Sequence, residues 1–147
     1  MAEGEGAASR RAAGSPSRVD LVRTAIDAYN AGNVERFLEL CHPDLHIRGD
    51  RRMAKQDTYE GHAGLRRWIE EERSSFSDFY VHVSEIRELE DGRVLMFGAI
   101  RAQRREPGGE SGMFIALLHS FEADRISEIQ SFPSARGALL AAGLTVS

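Results

Sequence analysis

The sequence is short of the residues that special chemistries require. Cysteine occurs once, as Cys41, in 147 residues. That excludes an internal disulfide framework and a cysteine-clustered zinc site. No apolar run approaches the roughly 18 residues that span a bilayer. No Gly-rich phosphate loop and no nucleophile elbow is present. Positive charge is not in surplus, since 19 Lys and Arg face 23 Asp and Glu for a formal net charge of −4. A generic binder of phosphate backbones is therefore disfavoured, and neither a nucleic acid nor a membrane is expected as a partner.

What is present suits one compact domain. Residues 1–18, MAEGEGAASRRAAGSPSR, carry no apolar side chain larger than alanine after Met1. Such a segment cannot bury enough surface to offset its ordering entropy, so it is expected to be a disordered tail before a single domain over residues 19–147. It also lacks the apolar stretch of about 7–15 residues that a secretory signal needs, which points to a cytoplasmic protein.

Hydrophobic spacing predicts the elements. Ser17 to Asp20 resembles a capping box, and Val22, Ala25, Ile26 and Tyr29 form a helical stripe that ends at Gly32. Asn33 is placed to cap a second helix carrying Val34, Phe37, Leu38 and Cys41, stopped by Pro43. A short strand over 44–48, a polar loop over 49–57 and a small strand over 58–60 precede a third helix over 62–75, marked by Leu65, Trp68 and Ile69. On that helix Glu70, Glu71 and Glu72 read as the solvated side, with Arg66 and Arg67 one turn earlier. Four β-rich runs follow, over 79–89, 93–104, 112–122 and 125–132, joined by hairpin-length links such as Asp91-Gly92 and Ala123-Asp124. Ser134 opens a last helix over 138–142. The order is that of an α+β fold with helices laid on one face of a curved antiparallel sheet.

Two of these strands are apolar on both alternating sets. Val94, Met96 and Ile100 oppose Leu95, Phe97 and Ala99, and Met113, Ile115 and Leu117 oppose Phe114, Ala116 and Leu118. A sheet with one wet face alternates with polar residues instead. The helices cover one face and nothing left in the chain can cover the other, so a homodimer through the sheet face is expected.

Five segments carry a family resemblance: Tyr29-Asn30-Ala31-Gly32-Asn33, His42-Pro43-Asp44, Tyr59-Glu60-Gly61-His62-Ala63-Gly64-Leu65-Arg66, Asp124-Arg125-Ile126, and the run from Ala138 to Leu144. In this order they resemble the SnoaL-like branch of the nuclear-transport-factor-2-like superfamily, a cone-shaped fold that hosts isomerases, cyclases, dehydratases and epoxide hydrolases. Fold alone does not choose among these activities. The resemblance implies a deep cavity between sheet and helices. Its walls would include Ala25 and Tyr29 from the first helix and Trp68 and Ile69 from the third. The strands would add Phe97, Ala99, Arg101, Met113, Ile115, Leu117, His119, Ile129 and Ser131. So apolar a lining suits a small, mostly hydrophobic molecule.

The same resemblance locates candidate chemistry. The isomerase-type base would fall on Gly49, with Asp50 next to it, and the isomerase's second acid would fall on Leu117, which has no proton to give. The linked Asp-Arg-Asp set of the epoxide hydrolases cannot be assembled. His119 shares a strand face with Met113, Ile115 and Leu117, and it reads either as a core histidine bonded to a neighbouring oxygen or as a ligand-contacting acid–base group. Tyr29 and Asp50 are its candidate catalytic companions. Tyr29 reads first as a cavity wall whose hydroxyl meets a polar neighbour and second as a donor to a ligand oxygen, and Arg101 as a side chain reaching solvent or a buried anion partner. The five histidines show no metal-ligand spacing, so no metal or other cofactor is expected. Three functions stay open: a small-molecule binding protein, an acid–base enzyme of isomerase, cyclase or dehydratase type, and a ligand-free dimerisation module.

Overall fold

A computed structural model describes residues 17–49, 57–104 and 110–144. Asp50 and residues 1–16 of the N-terminal segment lie outside them. Among the described residues four helices, α1 (Arg18–Asn30), α2 (Val34–Glu39), α3 (Gly61–Ser75) and α4 (Ala135–Ala141), combine with six strands. The strands are β1 (Cys41–Arg48), β2 (Thr58–Glu60), β3 (Phe76–Glu88), β4 (Val94–Arg104), β5 (Glu110–Glu122) and β6 (Arg125–Phe132). They form one sheet in the order β2-β1-β6-β5-β4-β3. The fold is the α+β arrangement expected, with one parallel pair, β1 beside β6, in an otherwise antiparallel sheet.

Local sequence accounts for the element ends. Ser17 accepts from Asp20 N at 3.0 Å and opens α1. Asn33 accepts from Arg36 N at 3.1 Å and opens α2, and Ser134 accepts from Gly137 N at 3.1 Å and opens α4. The β5–β6 hairpin turns on Ala123 and Asp124, both at positive φ (52° and 63°), the geometry whose twist suits a two-residue hairpin.

Cys41 is a correction to the sequence reading. It does not close α2; Leu40 caps that helix, and Cys41 begins β1, paired with Ile126. The three residues before Asp44 are extended because β6 offers a parallel ladder, which the helical spacing of Val34, Phe37 and Leu38 could not reveal. Cys41 is fully buried, and burial pushes its thiol up to about 12, so it packs as a small hydrophobe.

The sheet carries a core on each face. The inner face packs under α1, α2 and α3 in the main core. The outer face holds a second cluster in which Leu95, Ala116 and Leu118 pack against Ala138 and Ala142 of α4. This corrects the expectation that nothing within the chain could cover the outer face. α4 covers one end of it, held by Arg93, whose guanidinium donates to Ala142 O at 2.9 Å and to Asp91 at 2.8 Å. Away from α4 the outer face stays open at Tyr80 and Phe114, which are 46% and 38% exposed.

The edge strand β3 is shaped to aim residues inward. Asp78 takes a positive φ of 54°, and the register with β4 shifts between Ser77 and Tyr80. This bulge brings both Phe76 and Phe79, three residues apart, to the buried side. Asn30 at the end of α1 then clasps the strand, donating to Val81 O at 2.9 Å and accepting from Val81 N at 2.8 Å. On β4, Gly98 is required by close approach: a Cβ there would lie 2.3 Å from His82 O.

Candidate functional site

The clasp between α1 and β3 sets Tyr29 beside Phe79, with ring centroids 5.6 Å apart. Tyr29 also meets Phe37 and Trp68, each at 6.3 Å. These rings wall one end of a cavity of about 50 Å³ between the helices and the inner sheet face. By the same measure one water needs roughly 10–15 Å³, so the space holds a few waters or one small molecule. It is tighter than the deep cavity the family resemblance implies.

Most of the expected wall residues are in place. Ala25, Tyr29, Trp68, Ile115, Leu117, His119, Ile129 and Ser131 line the cavity. Ile69 and Met113 pack into the surrounding core instead of forming the wall. Phe97 and Arg101 are corrections. Phe97 pairs with Ala116 in the ladder and belongs to the outer cluster; Arg101, four residues on, is exposed. Because β4 is apolar on both sets, its parity was open, and the inward residue is Ile100. The bulge in β3 contributes Phe79 and Val81, and the helices add Ile26 and Phe37.

The group that sequence reasoning missed is Glu72. It does not belong to a solvated side of α3 with Glu70; it is 2% exposed and lines the cavity. The signal was available, because Leu65, Trp68, Ile69 and Glu72 are spaced i, i+3, i+4, i+7 along one buried stripe. Its charge suggested solvent, but Tyr29 supplies the compensation: the phenol donates to Glu72 Oε1 at 2.5 Å. Glu71 likewise accepts from Tyr59 OH, and Arg66 reaches across to Glu35 of α2 at 2.5 Å, not along its own helix. Burial holds the Tyr29 phenol well above its ordinary range, reinforced by the Glu72 charge and hydrogen bond and opposed by Arg73. Arg73 donates to Tyr29 O at 2.8 Å and lies over the Tyr29 ring, 5.2 Å from its centroid.

His119 stands on the cavity floor, 2% exposed, opposite Val94 in the β4–β5 ladder. Its Nδ1 lies 3.2 Å from Val94 O. A carbonyl can only accept, so Nδ1 carries the proton. Burial pulls the imidazole down to about 4, with the Val94 bond acting in the opposite direction. The ring is therefore neutral near pH 7, and its Nε2 is a lone-pair acceptor. The Trp68 indole is 7% exposed, and its Nε1–H has no acceptor among the described residues. Chemically the residues that line the cavity include an acceptor nitrogen on His119, a donor without a partner on Trp68, and a buried tyrosine–carboxylate pair. Among the described residues no group of three or more His, Cys, Asp or Glu converges as a metal site, and no helix is long and apolar enough to cross a membrane.

The fold has close structural counterparts. An NTF2-like protein of unknown function from Burkholderia pseudomallei superposes with a TM-score of 0.71 at 16% identity, covering 84% of this chain and 95% of that one. A protein from Catenulispora acidiphila with a ketosteroid isomerase-like fold, in complex with trimethylamine, gives 0.68 at 17% identity over 89% and 95% of the two chains. TerC co-crystallised with polyporic acid gives 0.69 at 15% identity over 82% and 94%. No curated protein matches the sequence. The SnoaL-like domain matches residues 22–129, from the first helical stripe to the last wall strand, and the chain belongs to that family.

Proposed function

We propose that the chain binds a small, mostly apolar molecule in the cavity between α1, α3 and the inner sheet face. The observation that carries this reading is a partly open space with apolar walls and a few buried polar groups, the usual composition of a small-molecule site. A filled core would instead favour the ligand-free module. The ligands held by the two structural relatives, polyporic acid and trimethylamine, differ in chemistry, so the ligand class has to come from this chain's own walls. The test is native mass spectrometry of protein purified from its own host. The expected result is a mass above the chain that vanishes on denaturation. Absence of any retained mass, together with no response of Trp68 fluorescence to small apolar compounds, rejects the reading.

The tyrosine–carboxylate pair favours a second reading, an acid–base enzyme acting on such a ligand. Tyr29 and Glu72 share a proton-donating contact at 2.5 Å, while His119 contributes a neutral imidazole. Asp50 lies outside the described residues, so the supporting groups are these three. Once a substrate is in hand, a His119→Phe variant with unchanged turnover removes the histidine from this reading.

The homodimer is proposed through the part of the outer face that α4 leaves open. Phe97 and Phe114 stack there with centroids 6.2 Å apart, beside the half-exposed Tyr80. A second copy would meet this patch with the same patch, as a two-fold interface requires. Sedimentation at micromolar concentration tests it, and a monomer there refutes it.

A further inference from the structure

The walls contain more information about the ligand than its size. We infer that the cavity selects a small uncharged molecule that carries both a hydrogen-bond acceptor, taken by Trp68 Nε1–H, and a hydroxyl, given to His119 Nε2. The inference rests on the binding reading and narrows its ligand class.

The donor side starts from Trp68. Its indole is more than nine-tenths buried, it forms part of the cavity wall, and Nε1–H finds no acceptor among the described residues. Buried N–H groups are seldom left so, because an unmet donor forfeits its hydration without return. An acceptor atom on a cavity ligand meets it. The acceptor side is His119. The bond from Nδ1–H to Val94 O fixes the tautomer, so the remaining nitrogen can only accept. A ligand hydroxyl is the complementary donor. Ser131 adds a hydroxyl to the same wall, two ladder steps along β6 from Ile129, the strand partner of His119.

Charge on the ligand is disfavoured in both directions. Among the described residues no Lys or Arg lines the cavity, so an entering anion meets the Glu72–Tyr29 pair there without a matching cation. A cation meets the same low-dielectric surroundings that keep the buried His119 ring neutral. Glu72 already accepts from Tyr29. The remaining choice is a neutral molecule whose polarity sits in directed groups, such as a phenol or hydroxy-carbonyl compound.

The chain holds one tryptophan, so the experiment has a built-in reporter. The single indole N–H resonance of the 15N-labelled full chain is followed while toluene, phenol, 4-hydroxybenzaldehyde, benzoate or benzylamine is added. Calorimetry gives the affinities. The inference expects 4-hydroxybenzaldehyde to bind at least tenfold more tightly than toluene, with a downfield shift of the indole proton that toluene does not produce. It expects benzoate and benzylamine to bind more weakly than phenol. Two ring-for-ring variants divide the contacts. Trp68→Phe and His119→Phe should each lower the affinity for 4-hydroxybenzaldehyde about fivefold to tenfold, the size of one hydrogen bond, and leave toluene within twofold. Denaturation curves establish that each variant is folded, and if one is not, the other variant and the wild-type probe series decide. If toluene binds as tightly as the hydroxylated probes, or a charged probe binds best, the inference is overturned while the binding reading stands. If no probe, toluene included, perturbs the indole or releases heat, both are overturned.

Discussion

The two faces of β4 and β5 are built from nearly the same residues and end in different states. On the inner face Val94, Met96, Ile100, Ile115 and Leu117 sit under long helices, and among them are a buried histidine and a buried glutamate. On the outer face Leu95, Ala116 and Leu118 sit under the short helix α4 with no buried polar side chain among the described residues, and beyond α4 the face is open at Tyr80 and Phe114. The difference lies in what covers each face. α1 brings a phenol to Glu72, and the ladder itself brings a carbonyl to His119. These two ionisable side chains are buried where such partners exist. The inner face can therefore carry chemistry, and the outer face can carry only packing.

The largest effect should come from the outer cluster. Leu95 is fully buried under α4, so Leu95→Ala should cost about 2–5 kcal/mol in denaturant unfolding. Leu117→Ala, beside the existing cavity and only partly buried, should cost less. Equal losses would mean that the cavity wall is as tightly packed as the outer cluster, and the contrast between the faces would fail.

The inner face should be the one that senses pH. The His119 pKa is lowered from 6.5 to about 4, so the unfolded chain binds a proton more readily than the folded one. The stability from keeping this ring neutral is complete above pH 6.5 and is lost as pH falls toward 4, on the order of 3 kcal/mol. The difference between wild-type and His119→Phe unfolding free energies should change by that amount across this window. Parallel curves would show that His119 is not held neutral by the fold.

A smaller loss is expected from the tyrosine–carboxylate pair. Tyr29→Phe keeps the ring contacts with Phe37, Trp68 and Phe79 but removes the donor to Glu72, and should cost about 1–3 kcal/mol. Glu72→Gln in the same background should restore part of it, since an amide needs less compensation than a carboxylate. A double-mutant cycle with no coupling would mean that the 2.5 Å contact contributes nothing.

How much of this was legible in the sequence follows from the same contrast. Helical stripes and caps named α1, α2 and α3, and hairpin turns separated the strands, because those signals are local. Eight of the expected wall residues line the cavity, since Tyr29, Trp68 and the 115–117–119 set follow from stripe and alternation. Phe97 and Arg101 went to the wrong face because β4 is apolar on both sets, and only pairing with β5 fixes which set turns inward. Phe79 entered the wall through a bulge at Asp78, a residue whose identity does not announce positive φ. Glu72 was hidden by its charge: its stripe position said buried, its type said solvated, and the deciding partner lies 43 residues away in sequence.

The smallest effect on the folded monomer, and the sharpest separation of the two faces, should come from Phe114. It is 38% exposed on the open part of the outer face and is not among the residues that line the cavity. Phe114→Ser should change the unfolding free energy of the isolated chain by no more than about 0.5 kcal/mol, as surface substitutions usually do. It should also leave the Trp68 resonance in place, because the sheet stands between the two. If a second copy covers this face, the same change should weaken association at least tenfold in sedimentation while ligand affinity stays constant. A variant that loses ligand affinity together with association would mean that the faces are coupled through the sheet. A variant that alters neither would return Phe114 to the class of ordinary exposed aromatics and leave the outer face with α4 as its only cover.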